Sequence, residues 1–252
     1  IFLDTVSCNI KTHFPGIKHY SKHTDIRELR SEDIFEFIGN NIDLLIGGPP
    51  CDDFTITGRK LGMSGNKGPL IFEFVRLVGE LKPSAFIFEN VPNLIRQFKV
   101  EFDKLLSMFR DIGYSLKWDV LKACDFGAAT IRERVIVVGF SSSIACDRFN
   151  FPKPSHVDSN KGNQQEINFE GMLDIVKLND VIADLPNADI NDHDQYLNHT
   201  TRKHRKETIA HLSTIKPGTS IRKSFRYRPS LDKPCRSLTA GMDNTCKSYV
   251  HP

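Results

Sequence analysis

A cysteine follows two prolines in the stretch GGPPCDDFT (residues 47–55), directly after the apolar run IDLLIG. Pro49 and Pro50 each fix φ and lack a backbone donor, so the chain leaves its strand there in a rigid turn. Cys51 therefore follows a rigid backbone turn and precedes a stretch that we expect to be flexible. This position suits a nucleophile, although a buried structural cysteine is the commoner situation.

Other polar side chains that could act with this thiol come at the ends of apolar stretches. Glu89 and Asn90 close SAFIFEN, and Arg132 and Arg134 belong to IRER, which leads into RVIVVGF. Each could have a structural role, as a carboxylate in a turn or an arginine in a surface ion pair. A thiol, a carboxylate and a guanidinium that meet at one edge of a sheet would instead favour covalent catalysis.

The elements that must position these residues alternate between strand and helix. Apolar runs predict strands over residues 42–48, 84–90, 115–123 and 134–140. Helical spacing marks two apolar faces between them, formed by Phe74, Leu77, Val78 and Leu81 and by Phe102, Leu105, Leu106 and Phe109. The pattern predicts an α/β fold with a mostly parallel sheet, whose ligand lies at the carboxyl ends of the strands. LNDVIADLP predicts a short helix, and residues 159–165 a polar loop.

Composition excludes several classes of protein. The 252 residues are 39% hydrophobic and 26% charged, as in ordinary globular proteins, and they contain no signal peptide and no apolar run of membrane-spanning length. The six cysteines lie far apart without a C-x-x-C pair. This argues against a zinc site or a disulfide framework, and it favours a reducing, cytoplasmic location.

Positive charge is concentrated toward the end of the chain. Residues 187–252 contain 12 Lys and Arg against 6 Asp and Glu, a balance of +6, whereas residues 1–186 contain 22 against 25, a balance of −3. The excess lies in TTRKHRKE and SIRKSFRYRPSLDKPCR, where it alternates with Phe225 and Tyr227. Such a segment is typical of a surface that binds nucleic acid, although a solvated surface can have the same composition.

Four blocks of sequence resemble a known family. GGPPCDDFT, NKGPLIFEFVRLVGELKP, FIFENVPNL and DFGAATIRERVIVVGF occur in the order and spacing of the catalytic half of DNA (cytosine-5) methyltransferases. DKPCRSLTAGMDNTCKSYVHP is similar to the end of that family's target recognition domain. The resemblance covers nearly the whole chain. It implies a Rossmann-like, S-adenosylmethionine-dependent methyltransferase domain over residues 1–186 and a smaller target recognition domain over residues 187–252.

The resemblance implies a role for each candidate residue. Cys51 would attack C6 of cytosine so that C5 can accept a methyl group, and Asn90 would order the turn that carries the cysteine. Glu89 would hold the N3/N4 edge of the base. Arg134 would contact O2 with support from Arg132. Because a thiolate cannot reach C6 of a stacked base, the family's chemistry implies that cytosine is flipped out of double-stranded DNA.

The family's methyl donor is S-adenosylmethionine. Asp25 and Ile26 in HTDIREL match the pair that borders the adenine, and Pro50 and Leu70 match further positions of the cofactor pocket. The stretch after the cysteine would be the family's mobile loop, which closes over DNA with glycines as hinges, with an ordinary linker as the alternative. Those glycines are Gly58, Gly62, Gly65 and Gly68. No metal is implied. We expect a monomer when full length, of bacterial or phage origin, in a restriction-modification system.

The chain also departs from the family pattern. The glycine-rich loop of the first strand is absent, the ribose-binding acid falls near Ile1 with Asp4 as a nearby substitute, and the closing blocks would begin after Pro252. We therefore expect a fragment of a longer protein. Asp52 replaces the usual glutamine after the cysteine, and its charge should raise the pKa of the thiol. Thr130 replaces the glutamine expected before RER.

Several functions remain open at this point. The chain could be an active DNA methyltransferase, or a catalytically incomplete DNA-binding remnant, or one part of a split methyltransferase. A tRNA methyltransferase of similar architecture is a more remote alternative, since its catalytic block differs. The target sequence in DNA depends on a few side chains that enter the groove, and the pattern does not identify them.

Overall fold

The computed structural model describes residues 16, 25–39, 41–50, 69–159, 171–185, 206–219 and 227–237. Within these ranges, the chain forms both helices and strands. The helices are α1 (Ser31–Ile38), α2 (Leu70–Leu81), α3 (Asn93–Arg96), α4 (Lys99–Asp111), α5 (Ser143–Arg148), α6 (Leu178–Ile182) and α7 (Lys206–Ser213). The strands are β1 (Leu44–Gly47), β2 (Ala85–Asn90), β3 (Ser115–Lys122), β4 (Glu133–Phe140), β5 (His156–Val157) and β6 (Leu173–Asp174).

The predicted elements are present. The four predicted strands are β1 to β4, the two apolar faces belong to α2 and α4, and the short predicted helix is α6. All eight residues of the two predicted faces are buried. The predicted polar loop over residues 159–165 lies, apart from Ser159, outside the described residues. The mixed α/β architecture expected from the sequence is therefore confirmed.

The direction of one strand differs from the prediction. The four longer strands form a sheet in the order β1–β2–β4–β3. β1 is parallel to β2, but β4 is antiparallel to β2, with Asn90 opposite Val135. The parallel pairing expected from the sequence is therefore found for β1 and β2, and the expectation is wrong for β4. The physical reason is that β4 follows β3 through a 3-10 helix (Ala123–Phe126) and a short loop, without the helical crossover that parallel neighbours require.

Aromatic rings from the sheet and the two long helices form the core. Phe86 and Phe88, alternate residues of β2, are fully buried on one face. Their rings contact Phe74 of α2 and Phe109 of α4, with centroid distances of 4.3 to 6.3 Å. Gly139 of β4 leaves room for the Phe86 ring, which a Cβ at that position would overlap. Burial of each ring stabilises the fold by about 1.5–3 kcal/mol, and together the rings fix β2 and the polar residues at its end.

By compactness the chain divides into two units, residues 1–120 with 134–151 and residues 121–133 with 152–252. The first contains the core and most of the sheet. In the second, β5 pairs in parallel with β6. The predicted boundary between residues 186 and 187 lies between a catalytic domain and a target recognition domain. It does not coincide with the division into compact units, and it stays a prediction. Among the described helices, none is long and apolar enough to cross a membrane.

Candidate active site

Glu89 and Arg134 lie side by side at one edge of the sheet. Glu89 is the last residue but one of β2, and Arg134 is the second residue of β4. Because these strands are antiparallel, the end of one lies beside the start of the other. Nε of Arg134 donates to Oε1 of Glu89 at 2.6 Å. The two residues therefore meet as expected, but through an antiparallel pair rather than through the carboxyl ends of parallel strands.

This ion pair is partly open to solvent. The Arg134 side chain is 20% exposed and that of Glu89 is 36% exposed. An ion pair that solvent can reach stabilises a fold by roughly 0–1 kcal/mol, so folding gains little from it. A guanidinium donates hydrogen bonds and a carboxylate accepts them, so this edge of the sheet combines one group of each kind.

Gly48 allows the carboxylate to lie against the backbone that leaves β1. A Cβ at this position would lie 3.0 Å from Oε2 of Glu89, closer than ordinary packing. The exit from β1 and the end of β2 are therefore in direct contact. Gly48 is not among the site residues predicted from the sequence, although a glycine at the end of a strand often marks a close approach of this kind.

Asn90 ties the end of β2 to the proline turn. Its side chain is buried, with 1% exposure. Nδ2 donates to the carbonyl of Pro49 at 3.3 Å, and Oδ1 accepts from the amide of Val91 at 2.9 Å. Pro49 precedes Cys51 by two residues, so this contact supports a role for Asn90 in ordering the turn. Cys51 itself, Asp52 and the glycine-containing loop lie outside the described residues.

The loop before β4 belongs to the second unit and is hydrogen-bonded at several points. The carbonyl of Arg132 accepts from the amide of Ala123 at 2.8 Å. Thr130 forms an isolated parallel bridge with Cys235. Around that bridge, the amide of Cys235 donates to Ala129 and the amide of Ile131 donates to Cys235, each at 2.9 Å. The segment that contains Cys235 thus holds the loop that contains Arg132.

Asp25, a predicted cofactor residue, is bound by its neighbour Arg27. The amide and Nε of Arg27 donate to Oδ1 at 3.0 and 2.9 Å, and Nη2 donates to Oδ2 at 2.5 Å. Hydrogen bonds from Arg27 lower the pKa of Asp25 from 3.8 to about 2, so the carboxylate is ionised at neutral pH. Three of its four acceptor positions are occupied, and one remains for an amino group such as that of adenine. The residue therefore fits its predicted role.

Arg76 of α2 holds the segment that follows Asp25. Nη2 donates to the carbonyls of Ile26 and Leu29 at 2.8 and 3.0 Å. Nε and Nη1 bind Glu73 and Glu80 on the same helix, at 2.7 and 2.8 Å. Arg76 is not among the site residues predicted from the sequence. The sequence shows only that glutamates lie at i−3 and i+4 from this arginine, which is the spacing of neighbours on a helix.

The other two predicted cofactor residues lie near these elements along the chain. Leu70 is the first residue of α2, the helix that contains Arg76. Pro50 is exposed in the turn after β1. One helix therefore connects two of the predicted parts of the pocket, because it begins at Leu70 and holds the carbonyl of Ile26. In the described part of the chain, no group of three or more His, Cys, Asp or Glu residues could hold a metal ion.

A family model for C-5 cytosine-specific DNA methylases matches residues 9–245. The chain belongs to this family. The type II methyltransferase M.AquIA of Picosynechococcus sp. is 34% identical over an alignment of 176 positions, which covers 65% of this chain and 70% of that protein. The type II methyltransferase M1.HphI of Haemophilus parahaemolyticus is 27% identical over an alignment of 251 positions, which covers 92% of this chain and 61% of that protein. The predicted resemblance is thereby confirmed.

The fold agrees with this family. A crystal structure of a candidate DNA modification methyltransferase, encoded within a prophage of E. coli, matches 91% of this chain and 72% of its own chain. The TM-score is 0.63 and the sequence identity is 23%, so this likeness concerns the fold. The chain spans 44% of a further relative, the type II methyltransferase M.MthTI of Methanothermobacter thermautotrophicus, with 35% identity.

Proposed function

We propose that the chain supplies the catalytic residues of a DNA (cytosine-5) methyltransferase in a restriction-modification system of a bacterium or phage. It would act in the cytoplasm on a cytosine that is flipped out of double-stranded DNA. The observation that carries the proposal is the 2.6 Å contact between Glu89 and Arg134 beside the turn that leads to Cys51. Family membership supports the same reaction.

The contact matches the edge of a cytosine. O2 and N3 are acceptors on neighbouring ring atoms, and N4 beside them is a donor. A guanidinium can donate to O2 while an adjacent carboxylate binds the N3/N4 edge. Arg134 and Glu89 lie next to each other as this arrangement requires. Their partial exposure leaves the pair accessible to an extruded base.

In the proposed reaction, the thiolate of Cys51 forms a C–S bond to C6, and the electrons of the C5–C6 double bond move to C5. Glu89 stabilises the ring protonated at N3, and Arg134 holds O2. C5 would then form a bond to the methyl group as the bond from that group to the donor's sulfur breaks, with the electron pair left on sulfur; loss of the C5 proton to solvent and expulsion of the thiolate would restore the aromatic ring. Covalent catalysis divides one difficult step into easier ones. Asn90 supports the reaction by holding the turn before the nucleophile.

The proposed methyl donor is S-adenosylmethionine, which supplies an electrophilic methyl group when bound. Asp25 would accept a hydrogen bond from the adenine amino group at its remaining acceptor position, and Ile26 would border the ring. Leu70 and Pro50 would line the same pocket. Calorimetry with S-adenosylmethionine tests this part independently of turnover. Asp25→Ala should weaken binding, whereas the exposed Asp103→Ala on α4 serves as the matched control.

The nucleophile is tested by Cys51→Ser. Bisulfite sequencing of DNA from cells that express the gene should show methylated cytosines for the wild type and none for the variant, because a hydroxyl is a far weaker nucleophile at neutral pH. Duplex binding should stay within a few-fold of the wild type. The wild type should also be trapped covalently by DNA that contains 5-fluorocytosine.

Cys146→Ser is the matched control, because Cys146 is a buried cysteine of α5 with no part in the proposed site. It should keep methylation and trapping. Undiminished methylation by Cys51→Ser would contradict the proposal.

A further inference from the structure

Arg236 stacks on an aromatic ring while its side chain remains at the surface. The guanidinium carbon of Arg236 lies 4.2 Å from the centroid of the Tyr227 ring. Arg236 is exposed and Tyr227 is half-buried. The contact over a partly buried ring restricts the position of the guanidinium, and solvent still reaches the exposed side chain.

No carboxylate neutralises this guanidinium within the described part of the chain. Its contact with the Tyr227 ring is the single interaction of its side chain that involves described residues. Asp232 is the one acidic residue within the surrounding segment 227–237. Arg236 is thus an oriented cation without an internal counter-charge in these ranges.

Arg228, which belongs to the same segment, makes structural contacts. Nη1 of Arg228 donates to the carbonyls of Ile215 and Ser213 at 3.0 and 3.5 Å, next to the end of α7. Its backbone pairs with Gly218 and Thr219. Arg228 therefore closes a helix end and fixes the local chain. The basic composition of the segment does not separate these two roles, but the contacts do.

The backbone next to Arg236 is attached to the loop that precedes β4. Cys235 donates to the carbonyl of Ala129 and accepts from the amide of Ile131, each at 2.9 Å. Ile131 is followed by Arg132, the residue predicted to support Arg134 in its contact with the base. The loop before β4 that contains Arg132 is called the base-contact loop below. Arg236 follows Cys235, the residue that is hydrogen-bonded to this loop, so its backbone is fixed beside the loop.

We propose that Arg236, oriented by its stack on Tyr227, binds a backbone phosphate of duplex DNA beside the base-contact loop. The inference rests on the proposed function for the presence of DNA. A guanidinium fork matches two oxygens of a phosphate and gives a bidentate, charge-assisted contact. The contact with Tyr227 reduces the freedom that the Arg236 side chain loses on binding, since the ring already restricts its position.

The test is the salt dependence of duplex binding, measured by fluorescence anisotropy on the purified protein. For Arg236→Ala, the slope of log K against log salt should become shallower by about 0.9, the change for one lost phosphate contact. Arg236→Lys should keep the slope and bind several-fold more weakly, because an ammonium lacks the fork. Tyr227→Leu should also keep the slope and weaken binding, since the charge remains but its orientation is lost.

Arg110→Ala on α4 is the matched control, because it removes one exposed arginine from another part of the chain. Its slope should equal that of the wild type. An unchanged slope for Arg236→Ala in a folded variant, or an equal change for Arg110→Ala, would overturn the inference. Arg236→Gln, which keeps the length of the side chain, decides the matter if Arg236→Ala does not fold. Stronger binding of an RNA duplex than of DNA by the wild type would also overturn it.

The failure of this inference and that of the proposed function are separable. A wild type that binds DNA with a salt-dependent slope but methylates nothing would contradict the function alone. A wild type that methylates cytosine, with a slope that Arg236→Ala leaves unchanged, would contradict the phosphate contact alone.

Discussion

Under the proposed function, Glu89 and Arg134 would exchange partners when a base enters. In the structure each binds the other. An incoming cytosine would offer O2 to the guanidinium and its N3/N4 edge to the carboxylate, so new contacts would replace part of the ion pair. Because the pair is partly exposed, opening it requires only a small free energy, on the order of 1 kcal/mol. An ion pair of this kind can keep both side chains oriented without competing strongly with the substrate.

Asp25 provides a test at the scale of one carboxyl group. Carbon-13 NMR should show its carboxyl titrating near pH 2, because Arg27 donates hydrogen bonds to the ionised form. A lowered pKa in the folded state means that the pair stabilises the fold fully above the ordinary pKa of 3.8, and that this contribution is lost as the pH falls through about 2. Arg27→Ala should return the pKa of Asp25 toward 3.8.

Lys99→Ala is the control for this titration, because it removes an exposed ion pair with Asp103 on α4. It should leave the pKa of Asp25 near 2. An Asp25 that titrates near 3.8 in the wild type would show that Arg27 does not hold the carboxylate in solution.

The types of the site residues could be predicted from the sequence, but their partners could not. A cysteine after two prolines and a glutamate at a strand end are visible as local patterns. The hydrogen bonds from Arg27 to Asp25 and from Arg76 to the carbonyl of Ile26 depend on side-chain geometry, which composition and spacing do not determine. The different contacts of Arg228 and Arg236 could not be predicted either, because each residue adds one positive charge to the basic segment and composition does not distinguish them.

At the scale of elements, the link between the end of β2 and the turn after β1 depends on Asn90. Asn90→Ala should remove the donor to Pro49 and leave the carbonyl without its partner. A lost buried hydrogen bond should lower the free energy of unfolding by about 1–3 kcal/mol. If the turn also places the nucleophile, kcat should fall more than KM rises. Denaturant unfolding and methylation kinetics measure the two effects.

Asn93→Ala is the matched control, since Asn93 is a buried asparagine of α3 that donates to Gln97 rather than to the proline turn. It should lower stability by a similar amount and leave kcat near the wild-type value. Equal losses of kcat in both variants would mean that Asn90 acts through stability alone.

Strands and helices were predictable here because apolar periodicity reports local burial. The direction of β4 was not read correctly, although the sequence contained a clue. The loop from β3 to β4 has no apolar helical face of its own, and parallel neighbours are joined by crossovers. The prediction applied the rule for parallel sheets to IRER, which stands before its strand rather than after it. An arginine before a strand can meet a glutamate at the end of another only if the two strands run in opposite directions.

At the scale of the whole molecule, two separated parts of the sequence, residues 121–133 and 152–252, form the second compact unit. Residues 121–133 pair with Cys235, and α6 pairs through Leu178 and Asn179 with Lys233 and Leu231. Truncation after residue 186 removes those partners. The amides of Ile131, Leu178 and Asn179 should then exchange hydrogen at least roughly tenfold faster, because local opening no longer breaks a bond. Hydrogen exchange with fragment or NMR detection measures this.

The amide of Ile87 in β2 is the internal control, since it lies in the sheet of the first unit and should keep its protection in the truncated chain. Persistent protection of Ile131 after truncation would contradict the described pairing. The sequence alone placed a domain boundary after residue 186 from charge and resemblance. It did not reveal that a short internal stretch pairs with the basic segment, because backbone hydrogen bonds leave no compositional trace.

The antiparallel pairing of β2 with β4 also determines when the reactive edge can exist during synthesis. About 45 residues separate Asn90 from Val135, which it opposes in the ladder. At roughly 5–20 residues per second, β4 leaves the ribosome roughly 2–9 s after β2. In that interval the newborn chain has a glutamate and a proline turn but no guanidinium, and β2 has an open edge that other strands could occupy. Under the proposed function, the capacity to hold a base would therefore arise late in synthesis, with β4, the last strand of the described four-stranded sheet to be made.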